Sequence, residues 1–548
     1  MDGIDRSPNA QTPISGICPI DGSPVAHHVR AWNGHHPDAP NAPTQPRSSS
    51  NGESKMAFAL SRRQFLAGSS GVVAAAASRQ VWGATPRPTL PIPTLLDGTK
   101  GDPLDLQIRR GAWSFMPGIQ TPTLGINQNY LGPTIRTRRG TELNLSYRNT
   151  LDEGVSIHGH GLHVPGDVDG GPQLQFAPGE VWQPKLSIVQ PAATCWYHSH
   201  THGRTGYQTY HGLAGLMIID DDDADSMDLP NTYGVDDLPV VIQDRTFDSD
   251  GRLVYSLTDA EEDGWYGDTV VINGAIKPIA NVPAGKVRLR LLNGANARFY
   301  FVTFADNRTF HKIACDGGLL SAPVSMTSME IAPGERCEII LDMADGNTAE
   351  MLMLFEDVID VEDGDEEIDL SRLPAAVREG ASLMLQVDTS LPAQTAPLPQ
   401  NLTTIERPRD AEIAQTREFI LTMDHSGGHG DHAGHAAMDM AINGAAMDMN
   451  VINERVQLGV WERWRIRSDD GAHPFHVHGC SFLIYEMEGA APSEDQQGWK
   501  DVVILDDDAW SEIVVRFDHL ATEQFPYMYH CHILEHEDRG MMGQFTVT

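Results

Sequence analysis

Positive charge is scarce in this chain of 548 residues: Lys and Arg total 39 against 75 Asp and Glu, a net charge of −36. A surface of that sign repels nucleic acid and anionic lipid, so neither is expected as a partner. Cysteine is scarce too, and six residues in a chain this long cannot make the dense cross-linking of a small secreted scaffold. No apolar stretch reaches the ~20 residues that span a bilayer, so no membrane span is expected. What the chain does hold is 40% hydrophobic residues, enough for packed cores, and an unusual supply of His (23) and Met (20). Its length corresponds to roughly three or four domains.

The N-terminus reads as an address. Residues 1–55 are rich in Pro, Ser, Asn and Gly without hydrophobic periodicity, and are expected to be a disordered extension. Ser61-Arg62-Arg63-Gln64-Phe65-Leu66-Ala67 then leads into a short apolar stretch, Gly68 to Ala77. Paired arginines ahead of such a stretch are the twin-arginine export signature. Residues 56–84 are therefore expected to be a signal peptide, cleaved between Ala77 and Ala84, and the mature chain to be periplasmic. Met56 is a candidate start of translation.

A pattern recurs three times in the remainder. Gly140 precedes the alternating stretch Glu142 to Tyr147, then Asn149 and His158; Gly285 precedes Val287 to Leu291, then Asn293 and Phe301; Gly459 precedes Trp461 to Ile466, then Asp469 and His476. Each copy is a turn glycine, a strand of period two, a turn residue and a second strand. The expected architecture is all-β, with three related β-sandwich domains over 85–228, 229–400 and 401–548. Where the outer copies carry His-x-His, the middle one carries Phe299-Tyr300-Phe301, so it is expected to be structural and without metal ligands. The acidic runs Asp220 to Asp228 and Glu356 to Asp369 read as solvated surface.

Chance would place about one His-x-His in a chain of this composition. Five are present, at 158/160, 198/200, 200/202, 476/478 and 530/532. Residues i and i+2 of a strand point to the same side, so each pair presents two imidazoles together. Four such pairs from the outer domains could supply eight nitrogen ligands, which suits a metal cluster rather than one ion. The final motif adds a thiolate. In His530-Cys531-His532-Ile533-Leu534-Glu535-His536-Glu537-Asp538-Arg539-Gly540-Met541, strand parity turns Cys531 away from His530 and His532. His473 lies three residues before His476, with parity that can bring it to the Cys531 side. Two His, one Cys and a weak Met are the ligand set of a blue-copper electron-transfer site.

At this point the chain resembles the multicopper oxidases, through His158-Gly-His160-Gly161, His198-Ser-His200, His473-Pro-Phe-His476-Val-His478-Gly479 and His530-Cys531-His532 through Met541. The similarity is greatest to three-domain bacterial copper efflux oxidases, themselves similar to laccases. The resemblance implies cupredoxin-like Greek-key domains and four copper ions: type 1 on His473, Cys531, His536 and axial Met541; type 2 on His158 and His476; the type 3 pair on His160, His198, His200, His478, His530 and His532. It implies one-electron oxidation of a reductant coupled to four-electron reduction of O2 to water, with Cys531 linking the two copper sites through its neighbours. Asp169 and Glu537 match the acids that serve proton delivery in that family.

For the reductant, Met423, Met438, Met440, Met447 and Met449 share the segment 423–449 with His425, His429, His432 and His435. Thioether and imidazole together bind Cu(I). Copper efflux oxidases carry a Met-rich segment at this point, and Met423 and Asp469 fall where ligands of a labile substrate copper would. Gly428 and Gly471 stand where an Asp and a Met are expected, so the implied site is weakened and Cu(I) and phenols both remain candidate reductants. The alternative is a periplasmic copper store without turnover. The protein is expected to act as a monomer. His163, His202 and His211 have no ligand slot, Cys195 and Cys480 read as buried thiols, and Cys315 and Cys337 are either a disulfide or two free thiols.

Overall fold

A computed structural model describes residues 87–260, 263–354, 382–394, 397–424, 439–507 and 509–548. The expected N-terminal extension and export signal, the run 356–369 and the histidines of 425–435 with Met438 lie outside the described residues.

The three repeats become three equivalent strands. Gly140 and Gly459 take positive φ, 87° and 73°, a turn conformation that suits a residue without Cβ. The strands that follow, Glu142–Asn149 and Trp461–Ser468, alternate buried and exposed along nearly their whole length, as strands with one wet face do. The middle copy falls inside the long strand Ile279–Asn293, which is buried on both faces from Val287 onward. In each copy the repeat strand lies parallel to an earlier strand of its own module: Leu104↔Leu145, Asp237↔Arg288 and Ile413↔Trp461.

The outer modules are two-sheet sandwiches. The first sets Leu95–Asp97, Thr134–Arg138, Ala214–Asp220, Ala193–Ser199 and Ile157–His160 against a sheet built on Leu104–Trp113 and Glu142–Asn149. The last sets Glu454–Val456, Met542–Val547, Tyr527–Cys531, His473–Val477 and Val502–Leu505 against a sheet built on Ile413–Asp424 and Trp461–Ser468. The middle strands run on as one eleven-stranded sheet that turns through Ile279–Asn293. Each module has its own apolar core. The fold is all-β with three cupredoxin-like modules.

A buried charge cluster of the middle module meets the first module through Thr194. Arg288 and Arg290 of the middle repeat meet Glu338, Arg290 also meets Asp237, and Thr194 of the first module donates to Glu338 at 2.6 Å. Burial would raise the Glu338 carboxyl, but Arg288 and Arg290 prevail and hold it at about 2. The acidic run at 220–228 is more than wet surface. Asp220 forms a two-pronged pair with Arg136, and the buried Asp221 accepts from the backbone of Ala192 and Ala224. Cys315 and Cys337 are both free and buried, as are Cys195 and Cys480. No helix among the described residues is long and apolar enough to cross a membrane.

Candidate metal centre

Four strands carry the histidines. Ile157–His160 pairs antiparallel with Ala193–Ser199, with His158 opposite His198. His473–Val477 pairs antiparallel with Tyr527–Cys531, with His476 opposite His530 and Phe475 opposite Cys531. Parity along each strand sends the paired histidines to one side, and the two outer modules face each other across them. The eight imidazoles are all at most 1% exposed. They sort into overlapping groups whose ligand atoms lie within 4.8 Å of one another: His158, His476 and His478; His160, His198 and His532; His200, His478 and His530.

Five of the outer ring nitrogens are spoken for, while Nδ1 of His200 and Nδ1 of His532 have no hydrogen-bond partner. The Nδ1–H of His158 donates to the Asp169 carbonyl at 2.9 Å, that of His198 to Ser199 O at 2.8 Å, that of His476 to Asp501 O at 2.7 Å and that of His530 to Cys531 O at 2.9 Å. His478 Nδ1–H donates to the Asp169 carboxylate at 2.8 Å. These bonds leave Nε2 as the free lone pair, and Nε2 of His158, His198, His476 and His532 is buried without a hydrogen-bond partner. Nε2 of His530 lies 3.3 Å from that of His200 and 3.2 Å from that of His478. His160 is the exception. Its Nε2–H donates to the Asp501 carboxylate at 3.0 Å and its Nδ1 is the orphan. Burial pushes His160, His198, His200, His476, His478 and His532 well below the usual imidazole range, and His530 down to about 3. Neutral rings with inward lone pairs, oriented by outer hydrogen bonds, are what a metal ion needs. Buried polar atoms left without partners are otherwise costly, so the donor set fits metal ions.

Two acids close this cluster. Asp169 is 1% exposed and serves His158 through its carbonyl and His478 through its carboxylate. The close turn that places it needs Gly170, at φ 87°, where a Cβ would lie 1.8 Å from Ile157 O. Glu537 lies 3.3 Å from His200 Nδ1 and 3.4 Å from His530 Nδ1, and accepts from Thr205 Oγ1 at 2.6 Å. Its burial, with Asp538 adding repulsion, pushes the carboxyl well above the ordinary range.

A second group sits on the other face of the last strand. Cys531 Sγ is 3.3 Å from His473 Nδ1 and 3.6 Å from His536 Nδ1, and the two Nδ1 atoms are 3.2 Å apart. His473 is fixed by its Nε2–H donating to Asp470 O at 2.8 Å. Its ring is pushed down to about 4 by burial. Ile533 N–H donates to Sγ at 3.3 Å. Met541 is fully buried, and its backbone bonds to both His536 and Cys531 fold it back toward them. The Cys531 sulfur and two imidazoles thus meet in one buried group.

Met423 is buried in the last core at 8% exposure, cross-strand from the fully buried Met440. Asp469 lies 2.9 Å from the Arg467 guanidinium. The carboxylate that reaches the Met423 backbone is that of Asp470, at 3.0 Å. His163 bonds Ser481 Oγ at 2.9 Å and His211 bonds Tyr207 O at 2.8 Å, neither within a ligand group. Sequence reasoning missed Asp501, which is fully buried and touches His160 and His476, and nothing local to it gives a signal.

Three modules of this kind, with histidine pairs converging between the outer two and a Cys–His–His group behind them, define a cupredoxin protein with side-chain groups that could hold metal ions. Models of the multicopper oxidase family match residues 107–224, 236–362 and 415–548, and the chain belongs to that family. It is 38% identical over 497 residues to proteins named cell division protein FtsP, from Dickeya dadantii and from Escherichia coli K12, covering 89% of this chain and 98% and 99% of theirs. Among solved structures it is similar to a laccase-like multicopper oxidase, CueO, from Ochrobactrum sp., described as having oxidase activity towards lignin model compounds and lignosulfonate. That match has a TM-score of 0.75 and 36% identity, over 84% of this chain and all of that one. A multicopper oxidase from Campylobacter jejuni, described as a metallo-oxidase, matches with a TM-score of 0.70 and 25% identity, over 84% and 96% of the two chains.

Proposed function

We propose that this chain is a copper-dependent oxidase of the periplasm, exported by the twin-arginine route, that couples one-electron oxidation of Cu(I) or a phenol to four-electron reduction of O2. The observation that carries the reading is the pattern of inward, unpartnered ring nitrogens next to a complete Cys–His–His–Met set. His473, Cys531, His536 and Met541 would hold type 1 copper. His158 and His476 would hold type 2, and His160, His198 and His532 with His200, His478 and His530 would hold the type 3 pair. Copper so bound would supply one-electron redox steps at the first site and, with one electron from each of the four ions, the four electrons that O2 takes up at the cluster.

The chain's own residues do the rest. Cys531 is joined by single peptide units to His530 and His532, so the same strand that presents the thiolate on one face presents cluster imidazoles on the other. Asp169 orients two rings. Glu537, whose carboxyl burial pushes upward, is the acid placed to hand on a proton beside His200 and His530, and Thr205 holds it in place. Burial of every ligand excludes bulk water from the cluster, which favours controlled proton delivery.

The FtsP name of the curated relatives favours a second reading, a cell-division role in which the copper fold serves as a scaffold. Filled ligand positions with free lone pairs favour the oxidase. Metal analysis and oxygen uptake by the full-length mature protein separate these. About four coppers per chain and steady uptake with Cu(I) or a methoxyphenol support the oxidase. Bound copper without uptake indicates a store, and no copper after loading indicates a scaffold. Deleting 425–438, which spares the core residue Met440, identifies the donor. Loss of uptake with Cu(I) alone makes the natural donor Cu(I), and unchanged rates with both point to phenols.

A further inference from the structure

The middle sandwich supplies no residue to any ligand group among the described residues, yet it reaches the cluster at two points. The first is Arg336, fully buried, all of whose side-chain nitrogens are engaged. Nη1 and Nη2 donate to the two carboxylate oxygens of Asp501, each at 2.6 Å. Nε donates to Thr194 O at 3.0 Å, and the remaining protons go to Gly334 O and Asp316 O. Asp501 belongs to the last module. It holds the first module's His160 through its carboxylate and its own module's His476 through its carbonyl. One guanidinium from the middle module therefore fixes an aspartate that orients histidines of both outer modules, His160 through its carboxylate and His476 through its carbonyl.

The second point is Gly334. A Cβ here would lie 2.8 Å from Cγ, Cδ2 and Nε2 of His532, and φ is 85°. The middle module's backbone forms a wall against that ring, and only a residue without a side chain fits. Room for Arg336 is made on the opposite side by Gly161, next to His160, where a Cβ would lie 2.5 Å from Arg336 Nη2 and 2.7 Å from Asp501 Oδ2.

We infer, on the strength of the copper-binding role proposed above, that Arg336 and Gly334 are positioning residues for the cluster, acting through Asp501 and His532. The planar two-pronged fork is essential, since a lysine keeps the charge but cannot hold both carboxylate oxygens in one plane. The His473–Cys531–His536 group has no contact with either residue among the bonds described, so its blue absorbance is an internal reference for folding and loading.

The test uses full-length mature protein loaded with copper, as wild type, Arg336→Lys and Gly334→Ala. Each is titrated with a copper chelator while copper content, blue absorbance and the electron paramagnetic resonance spectrum are followed. Both variants are expected to keep the blue absorbance and to surrender the remaining copper at ~10- to 100-fold lower chelator concentration, the usual effect of losing an outer hydrogen bond to a metal ligand. A new resonance from uncoupled copper accompanies that loss. Wild-type chelator resistance with an unchanged spectrum in both variants overturns the inference. So does loss of the blue absorbance in both, which makes these contacts a requirement of folding. A wild type that binds no copper overturns the copper reading itself, a result distinguishable from either.

Discussion

The imidazoles of His160 and His476 lie face to face, ring centroids 3.7 Å apart and 12° from parallel. One ring comes from the first sandwich and the other from the last, 316 residues on by their numbering. Both are oriented by the same aspartate, Asp501. A second such stack, His158 on His478 at 3.7 Å, shares Asp169 in the same way. The cluster is thus built of two cross-module stacks, each governed by one buried acid.

Replacing Cys531 with serine is expected to abolish the blue absorbance and oxidation of both donors while leaving the other copper bound, because Cys531 contributes only to the group behind the cluster. Copper content beside the visible spectrum checks this. Loss of all copper would show the two groups to be one folding unit.

Asp169→Asn and Glu537→Gln are expected to keep the blue absorbance and slow oxygen reduction by ~10²-fold, the lower range for removing a group that moves a proton. Reoxidation by O2 after full anaerobic reduction isolates that half of the cycle. Wild-type reoxidation rates in both would remove the two acids from proton delivery.

Asp538 accepts from the backbone of Thr205 and Gly206, and burial pushes its carboxyl from 3.8 up to about 7. A carboxyl raised by folding holds its proton in the folded state after the unfolded chain has released it. The stability linked to that proton is complete below pH ~4 and is lost as pH rises to ~7, a change on the order of a few kcal/mol. Tm of the metal-free protein should therefore fall more steeply over this window in wild type than in Asp538→Asn. Parallel slopes would contradict it. The variant also forfeits one acceptor, a roughly constant offset of about 1 kcal/mol.

Glu338→Gln leaves Arg288 short of its anion at a buried interface, and is expected to cost ~3–5 kcal/mol. Chemical denaturation of the metal-free protein measures this. Wild-type stability falls in acid as pH drops toward the held carboxyl value of about 2, because a carboxyl lowered by folding loses its stabilisation on protonation.

The ligand histidines were legible because their signal is local. His-x-His on a strand puts two rings on one face whatever the partner, and Cys531 between two of them must point the other way. The three modules were legible from Gly140, Gly285 and Gly459 for the same reason. The residues that tune the cluster were not. His160 meets Asp501 across 341 positions and Arg336 meets it across 165, and neither pairing has a periodicity or motif. The middle module looked inert because its repeat carries Phe299-Tyr300-Phe301, yet its contribution comes from a different turn. Met423 and Asp469 were placed by analogy of position. In the fold the methionine is buried in the last core and the aspartate meets Arg467, while the neighbouring Asp470 takes the backbone contact.

Leu421–Ile442 pairing has a consequence for how such a protein can change. Leu421 to Asp424 and Ile442 back to Asp439 zip in register, with Met423 and Met440 anchored in the last core, so the chain is already clamped at both ends before residues 425–438 begin. Lengthening a clamped excursion costs little, ~0.6 kcal/mol for each doubling. That stretch can be rewritten, expanded or cut over generations without disturbing the paired strands that flank it, which makes it a place where lineages sharing one fold can drift apart.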